Sequence, residues 1–268
     1  MVSLLGFRTG CRPKSESLII QYRRAVLFFV ITYDIRVLLH MVLFDSLSAF
    51  LQRVQDHVRH DYVWYVAGAF EEAEYSKLPA FADKVCAAYD INLSPMQRSR
   101  RKAAGYGNVH LLGVKLKAKV VWILMATDGD NDFHLYEKNK KNLTQKDQRL
   151  VLMGFELVQL TRPVSSGGGS TWTWRLTESA YKGMEAKVDD IAKRAISGEQ
   201  AIAKAKETLL WLPMFRGIRV QVGKLFQRLR REWVTRHGDM PIPKLEDLPF
   251  IRKQVARTVA LETLCITK

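Results

Sequence analysis

The chain has 268 residues, of which 47% are hydrophobic and 26% are charged, and this composition excludes a wholly disordered chain because it can bury a sizeable core. Forty-two Lys and Arg against 27 Asp and Glu give a formal net charge of +15, which favours a polyanionic partner, nucleic acid before an anionic membrane. The three cysteines form no CxxC pair, which argues against a disulfide framework or a structural zinc site and favours a reducing, cytoplasmic setting.

Residues 1–40 are interpreted as an N-terminal extension. Their apolar run, 25–32, is interrupted by Asp34, Arg36 and His40 before it reaches the length that spans a bilayer. Met41 directly precedes a well-patterned helix, so we expect a native start there. An interfacial anchor, or a strand and helix added to the core, are the open alternatives.

The spacing of apolar residues predicts alternating helices and strands between residues 41 and 136. Apolar side chains recur every three or four residues over 44–58, as on one face of an amphipathic helix. The run YVWYVAGAF is rich in aromatic and β-branched residues and VVWILMA is continuously apolar, so both are expected to be buried strands. The predicted helices are 44–58 and 78–89, and the predicted strands are 62–70, 109–116, 120–126 and 133–136.

The rest of the chain is predicted to hold one hairpin and then only helices. A short helix from Thr144 to about Met153 precedes strands 155–162 and 171–177, which flank a Ser- and Gly-rich tip. Helices follow over 181–195, 202–212, 218–236 and 248–264. The expected fold class is α+β, with a central, mostly antiparallel sheet of four to five strands and flanking helices in residues 41–197, followed by a helical, basic C-terminal region, 198–268.

The strongest sequence signal for binding is the basic arm 98–102, which lies in a segment, 94–119, that has seven basic residues and no acid. Guanidinium donors match phosphate oxygens, and Gly105 and Gly107 let the main chain approach a backbone. Tyr106 is placed to stack on a base. The alternative is a solvated basic loop. The candidate contacts here are Arg98, Arg100, Arg101, Lys102, Tyr106, Lys115 and Lys117.

A second basic cluster extends from Arg216 to Arg236, where seven cations accompany the single acid Glu232. Apolar residues recur on the opposite face, so the helix can dock on the body while presenting its charges. Arg228, Arg230 and Arg231 are its candidate phosphate contacts. A membrane-surface helix, a partner-binding helix or a solvated face are the alternatives.

The hairpin and the residues after it resemble a known DNA-binding arrangement. Leu176, Thr177, Glu178 and Ser179 end a strand and open a helix. This pattern is similar to the end of winged-helix domains, where a wing strand runs into Leu, Thr, two variable residues and Gly. The resemblance covers residues 144–184, and Ala180 departs from it at the glycine position. It implies backbone contacts from Arg162, Arg175 and the hairpin tip.

An acidic cluster after the strand 120–126 raises the question of an enzyme. Carboxylates at a strand end can hold Mg²⁺ in a nuclease, and Asp128, Asp130, Asp132 and Glu137 are the candidates. The same residues fail the pattern of a calcium loop, because Phe133 replaces its glycine and Asn139 its final acid. A simple hairpin turn is the favoured interpretation.

The sequence therefore predicts a non-catalytic nucleic-acid-binding accessory protein, with DNA expected before RNA and with no cofactor or metal. From this overall character we expect a bacterial mobile element, in its replication, transfer or regulation. A protein partner on the C-terminal helices is a further expectation, and a membrane partner is not expected. Two other classes stay open: a metal-dependent nuclease that uses the acidic cluster, and a membrane-peripheral or scaffold protein.

Overall fold

A computed structural model describes residues 41–161, 164–238, 240–243 and 248–251. Predictions for residues 1–40, for Arg162 and for most of the helix 248–264 lie outside the described residues. The described strands are β1 (Val42–Phe44), β2 (Trp64–Glu71), β3 (Val109–Lys115), β4 (Lys119–Ala126), β5 (Lys141–Asn142), β6 (Val151–Leu152), β7 (Phe155–Thr161) and β8 (Ser170–Leu176). The described α-helices are α1 (Leu47–Arg59), α2 (Leu78–Tyr89), α3 (Pro95–Ala103), α4 (Asp132–Tyr136), α5 (Glu178–Arg194), α6 (Gly198–Leu209) and α7 (Arg216–His237).

The central sheet has five strands in the order β1-β3-β4-β2-β5. Among these pairs β1 and β3 run parallel and the others are antiparallel, so the predicted α+β class with a mostly antiparallel central sheet is confirmed. Side chains alternate across the sheet, as a pleated strand requires. Ile123 and Met125 of β4 face the core shared with α1, whereas Leu124 belongs to the second core, which α2 covers.

A smaller sheet, β6-β7-β8, and the helices α5 to α7 pack on the α1 side of the central sheet. Trp174 of β8 is fully buried, and its indole Nε1 donates a hydrogen bond to the carbonyl oxygen of Leu51 in α1, at 2.8 Å. Trp233 of α7 is also fully buried in the same core. The hydrophobic core is therefore continuous from α1 through the hairpin into the C-terminal helices.

Three predicted elements are wrong. Residues 133–136 form the short helix α4 instead of a strand, because the Asn131 side chain caps the backbone N–H of His134. The predicted helix after Thr144 is a turn that leads into β6, and the Thr144 side chain instead bonds to Asn142 Oδ1 at 2.7 Å. Of the elements in the winged-helix resemblance, the hairpin and the helix α5 that follows it are present, but residues 144–153 form no helix before them.

The third correction concerns the acid-free segment, interpreted above as an arm or loop. Residues 95–103 form the helix α3. Ser94 caps the N–H of Gln97 while the Gln97 side chain accepts from the N–H of Ser94, and Pro95 occupies the first turn. Four of the seven basic side chains of this segment, those of Arg98, Arg100, Arg101 and Lys102, therefore stand on a helix.

Candidate nucleic-acid interface

Helix α3 carries four of the predicted contacts, and three of them already have protein partners. The Arg101 guanidinium pairs with Asp90 at 3.2 Å and lies 5.6 Å from the ring centre of Tyr106. Lys102 pairs with Asp61 at 2.9 Å, and Arg98 donates to the carbonyl oxygen of Leu93. These pairs take up part of the positive charge of α3.

Arg100 and Tyr106 remain open on this surface. Arg100 is exposed, and among the described residues its side chain makes no ion pair or hydrogen bond. The Tyr106 side chain is 49% exposed, beside a backbone bridge to Asp130. Since the ion pairs of Arg101 and Lys102 are solvent-exposed, phosphate groups can compete for these cations at small cost.

The other predicted contacts of the α+β body do not join α3. Lys115 ends β3 and Lys117 follows it; this strand begins beside α3 at Val109 and carries the chain about 20 Å away. The Arg175 guanidinium pairs at 2.7 Å with Glu156, which also lies 3.5 Å from Arg149. Arg162 lies outside the described residues.

Helix α7 forms because apolar residues recur on one face and bury against β8 and the helices. The buried set is Gly217, Ile218, Val222, Leu225, Phe226, Leu229 and Trp233. Gly217 lets the helix approach β8 so closely that a Cβ at this position would lie 2.5 Å from the carbonyl oxygen of Trp174. The backbone N–H of Gly217 donates to Thr173 Oγ1 at 3.2 Å. Tight docking therefore fixes which residues of α7 point outward.

Five outward cations of α7 form what we call the cationic face, namely Arg216, Arg219, Lys224, Arg230 and Arg231; the exposed Val220, Gln227 and Val234 lie among them. At 3.6 residues per turn these positions occupy an arc of about 140°. The acid Glu232 falls outside this arc and lies 3.5 Å from Arg236. The cationic face thus presents positive charge along the helix with no carboxylate of α7 among it.

Hydrogen bonds hold part of the cationic face in place without neutralising it. Arg216 donates to the carbonyl oxygen of Thr161 at 2.7 Å, Arg219 to that of Leu248 at 3.0 Å and Arg230 to that of Pro243 at 2.9 Å. Lys224 and Arg231 are exposed and have no side-chain partner among the described residues. All five cations therefore keep their net charge.

Arg228 differs from its neighbours on α7. Its guanidinium forms two hydrogen bonds with the carboxylate of Asp189 and one with Glu185, both in α5. The hydrogen bonds to Asp189, before any other cause, raise the pKa of Arg228 above its usual range. Two carboxylates thus surround this cation, which holds α5 against α7.

The C-terminal end of α1 borders both basic surfaces. Asp61, just beyond this helix, bonds Lys102 of α3, and Arg59 in its last turn lines a groove together with Arg216 and Arg219 of α7. Arg59 itself lies 3.6 Å from Asp56 in an exposed pair. Both predicted basic segments therefore have residues close to this helix end.

The acidic cluster serves other contacts. Asp128 accepts a hydrogen bond from the indole Nε1 of Trp64 at 2.7 Å, and Glu137 accepts one from the Tyr89 hydroxyl at 2.6 Å. Burial, followed by this bond to Glu137, raises the pKa of Tyr89 well above its usual value. Within the described part of the chain, no group of three or more His, Cys, Asp or Glu is arranged to hold a metal ion.

A pair of half-buried histidines was not foreseen in the sequence. The rings of His57 and His110 lie 4.5 Å apart, each within 5.2 Å of the Tyr62 ring. Burial lowers the pKa of His57 to about 3 and that of His110 to about 4. Both rings are therefore neutral at physiological pH. Only the packing of α1 on β3 brings them together, because they are 53 positions apart in the chain.

Comparison with known proteins adds no relative: the chain matches no protein-family model, no curated protein and no solved structure. In the described ranges, no helix has the length and apolar character needed to cross a bilayer. Sequence reasoning also missed Gln55, Arg59 and Phe250, which line the groove beside α7. No local pattern marks them, since they lie on segments that meet only in the folded chain.

Proposed function

We propose that this protein binds nucleic acid, with DNA as the first candidate, and that the cationic face of α7 is its main contact surface. The observation that carries the proposal is that five cations project from one side of a firmly docked helix. Three of them, Arg216, Arg219 and Arg230, donate hydrogen bonds to carbonyl oxygens, which leave their positive charge intact. Such a surface attracts a polyanion because it releases counterions from the strand that it contacts.

The length of the face suits a strand more than a single small anion. Arg216 and Arg231 are 15 positions apart, so the helix carries the charges along about 22 Å. The guanidinium groups of Arg216, Arg219 and Arg230 are oriented by hydrogen bonds, which reduces the entropy lost when they meet phosphates. We therefore infer phosphate-backbone contacts with no inherent sequence preference.

Helix α3, whose Lys102 pairs with Asp61 next to the end of α1, supplies a second contact. Arg100 and the exposed ring of Tyr106 are its open groups, and Arg101 and Lys102 exchange their exposed ion pairs for phosphates. Arg228 has a structural role on this proposal, because Asp189 and Glu185 already surround its guanidinium.

The proposed role is that of a non-catalytic accessory protein acting in the cytoplasm. The overall basic character of the chain is what suggests replication, transfer or regulation of a mobile element. The acidic cluster gives a nuclease no support, since Asp128 and Glu137 bond to Trp64 and Tyr89, and no metal-holding group occurs among the described residues.

The experiment compares charge-matched double variants by fluorescence anisotropy on a labelled duplex. Lys224→Gln with Arg231→Gln removes two cations that have no described side-chain partner, and we expect the affinity to fall at least about tenfold. Lys84→Gln with Lys138→Gln removes two exposed charges from α2 and from the residues after α4. Equal losses in the two double variants would show that net charge, and not the cationic face, drives binding.

A further inference from the structure

A groove lies between α1 and the start of α7, and residues of β8 and residues 250 and 251 also line it. We call it the α1–α7 groove. It has a volume of about 750 Å³, within the range typical of sites for small organic ligands. Its lining combines three arginines, Arg59, Arg216 and Arg219, with Gln55, Trp172 and Phe250.

Gln55 is the unusual polar residue of this groove. It is only 6% exposed, and its Oε1 has no hydrogen-bond partner among the described residues. A buried amide oxygen without a donor is unfavourable, and a ligand that supplies an N–H removes that penalty. Rotation of the carboxamide about its last bond presents either the oxygen or the NH₂ group to the groove.

Arg219 carries a second buried atom, its Nε, that has no partner in the part of the chain that the structure describes. Its Nη2 bonds to a carbonyl oxygen, and its guanidinium lies 3.4 Å from the centre of the Phe250 ring. Arg216 bonds only to carbonyl oxygens of the hairpin, so neither arginine has a carboxylate partner. The single acid of the lining, Asp56, lies beside Arg59. The groove therefore has an excess of positive charge.

Two aromatic rings belong to the apolar part of the lining, which also includes Met214, Phe215 and Ile251. Trp172 is half-buried on β8 and packs against the core, whereas Phe250 is 75% exposed. Base rings stack on such side chains, with little dependence on sequence, because every base has a π-face. Flat apolar surface, unpaired cations and a buried carboxamide thus occur together in one groove.

We propose that the α1–α7 groove binds one unpaired nucleotide of a nucleic-acid strand. Its base lies against Trp172 and Phe250, its phosphate meets Arg216 and Arg59, and Gln55 bonds to the edge of the base. This inference rests on the nucleic-acid binding proposed above and adds a preference for single-stranded over fully paired nucleic acid at this groove.

The test compares a short single-stranded oligonucleotide with the same strand carrying abasic sites at its centre. The wild-type protein is expected to bind the intact strand about tenfold more tightly, since stacking contributes only when a base is present. Phe250→Ala and Gln55→Leu are expected to bring this ratio close to one and to leave duplex affinity unchanged. Leu135→Ala, an exposed apolar residue of α4, is the matched control and keeps the ratio.

The outcomes separate the two proposals. If the strand binds with strong salt dependence but Phe250→Ala and Gln55→Leu both keep the wild-type ratio, the groove does not hold a base and the role of the cationic face stands. If the wild-type protein binds neither strand nor duplex, both proposals are overturned. Thermal unfolding of Gln55→Leu separates a folding defect from lost binding; we expect an unchanged or higher Tm, because an unpaired buried oxygen is removed.

Discussion

The guanidinium of Arg228 forms a paired contact with the carboxylate of Asp189. Its Nε donates to Oδ1 at 2.7 Å and its Nη2 donates to Oδ2 at 2.8 Å. The two residues belong to α7 and α5, which lie 39 positions apart in the chain at this point. Because such a forked contact fixes both helices, it also fixes the direction in which the cationic face points.

Arg228→Lys keeps the charge and loses the forked geometry. We expect the free energy of unfolding to fall by about 1 kcal/mol, since a lysine offers a single ammonium in place of two parallel donors. Arg231→Lys is the matched control, and its stability should not change because Arg231 is exposed. Urea unfolding measures the free energy of unfolding of both variants and of the wild-type protein. A loss in Arg231→Lys as large as in Arg228→Lys would contradict the assignment of Arg228 as the residue that joins α5 to α7.

Gly217 and Gly183 give opposite predictions for the same substitution. A methyl group at Gly217 would meet the carbonyl oxygen of Trp174 at 2.5 Å, so Gly217→Ala should destabilise the protein by about 2 kcal/mol or more. Gly183 in α5 has nothing within 4 Å of such a methyl group, and Gly183→Ala should stabilise it by about 0.5–1 kcal/mol. Thermal denaturation tests the pair. A Gly217→Ala variant as stable as Gly183→Ala would mean that α7 does not pack this closely on β8.

His57 and His110 predict a loss of stability in mild acid. Their folded pKa values of about 3 and 4 lie below the value of about 6.5 expected in the unfolded chain. Above about pH 6.5 both states are neutral and pH has no effect through these groups. Between about pH 6.5 and 4 the unfolded state binds protons that the folded state excludes, so stability falls as the pH falls.

The measurement is the free energy of unfolding as a function of pH in His57→Gln and His110→Gln. Each substitution should reduce the slope in this window by up to about 1.4 kcal/mol per pH unit. The sign is fixed by burial, which disfavours the charged ring in the folded state. Wild-type slope in both variants would show that these two rings are accessible to protons in the folded protein.

Much of the fold is predictable from the sequence because its strongest signals are local. Apolar residues recur every three or four positions in α1 and α7 because each helix buries one face. The apolar residues of β4 are continuous because this strand is buried on both faces. The helix α3 was missed although Ser94, Pro95 and Gln97 form a capping signature, because its basic residues provide no apolar period.

The candidate interface was only partly predictable, for a different reason. A count of basic residues finds the clusters around α3 and α7, but the partner of each charge is chosen by the fold. Nothing near Arg228 in the sequence distinguishes it from Arg231. In the folded chain, however, Arg228 pairs with Asp189 whereas Arg231 is exposed to solvent. The α1–α7 groove brings Gln55 beside Phe250, and contacts over such separations leave no local pattern.

The central claim is that the cationic face releases counterions from a nucleic-acid strand, and the salt dependence of duplex binding tests it most directly. Five phosphate contacts predict a plot of log affinity against log salt concentration with a slope of about −4 to −5. Lys224→Gln with Arg231→Gln should make that slope shallower by about 2. A wild-type slope near zero, or the same slope in the double variant, would contradict the account.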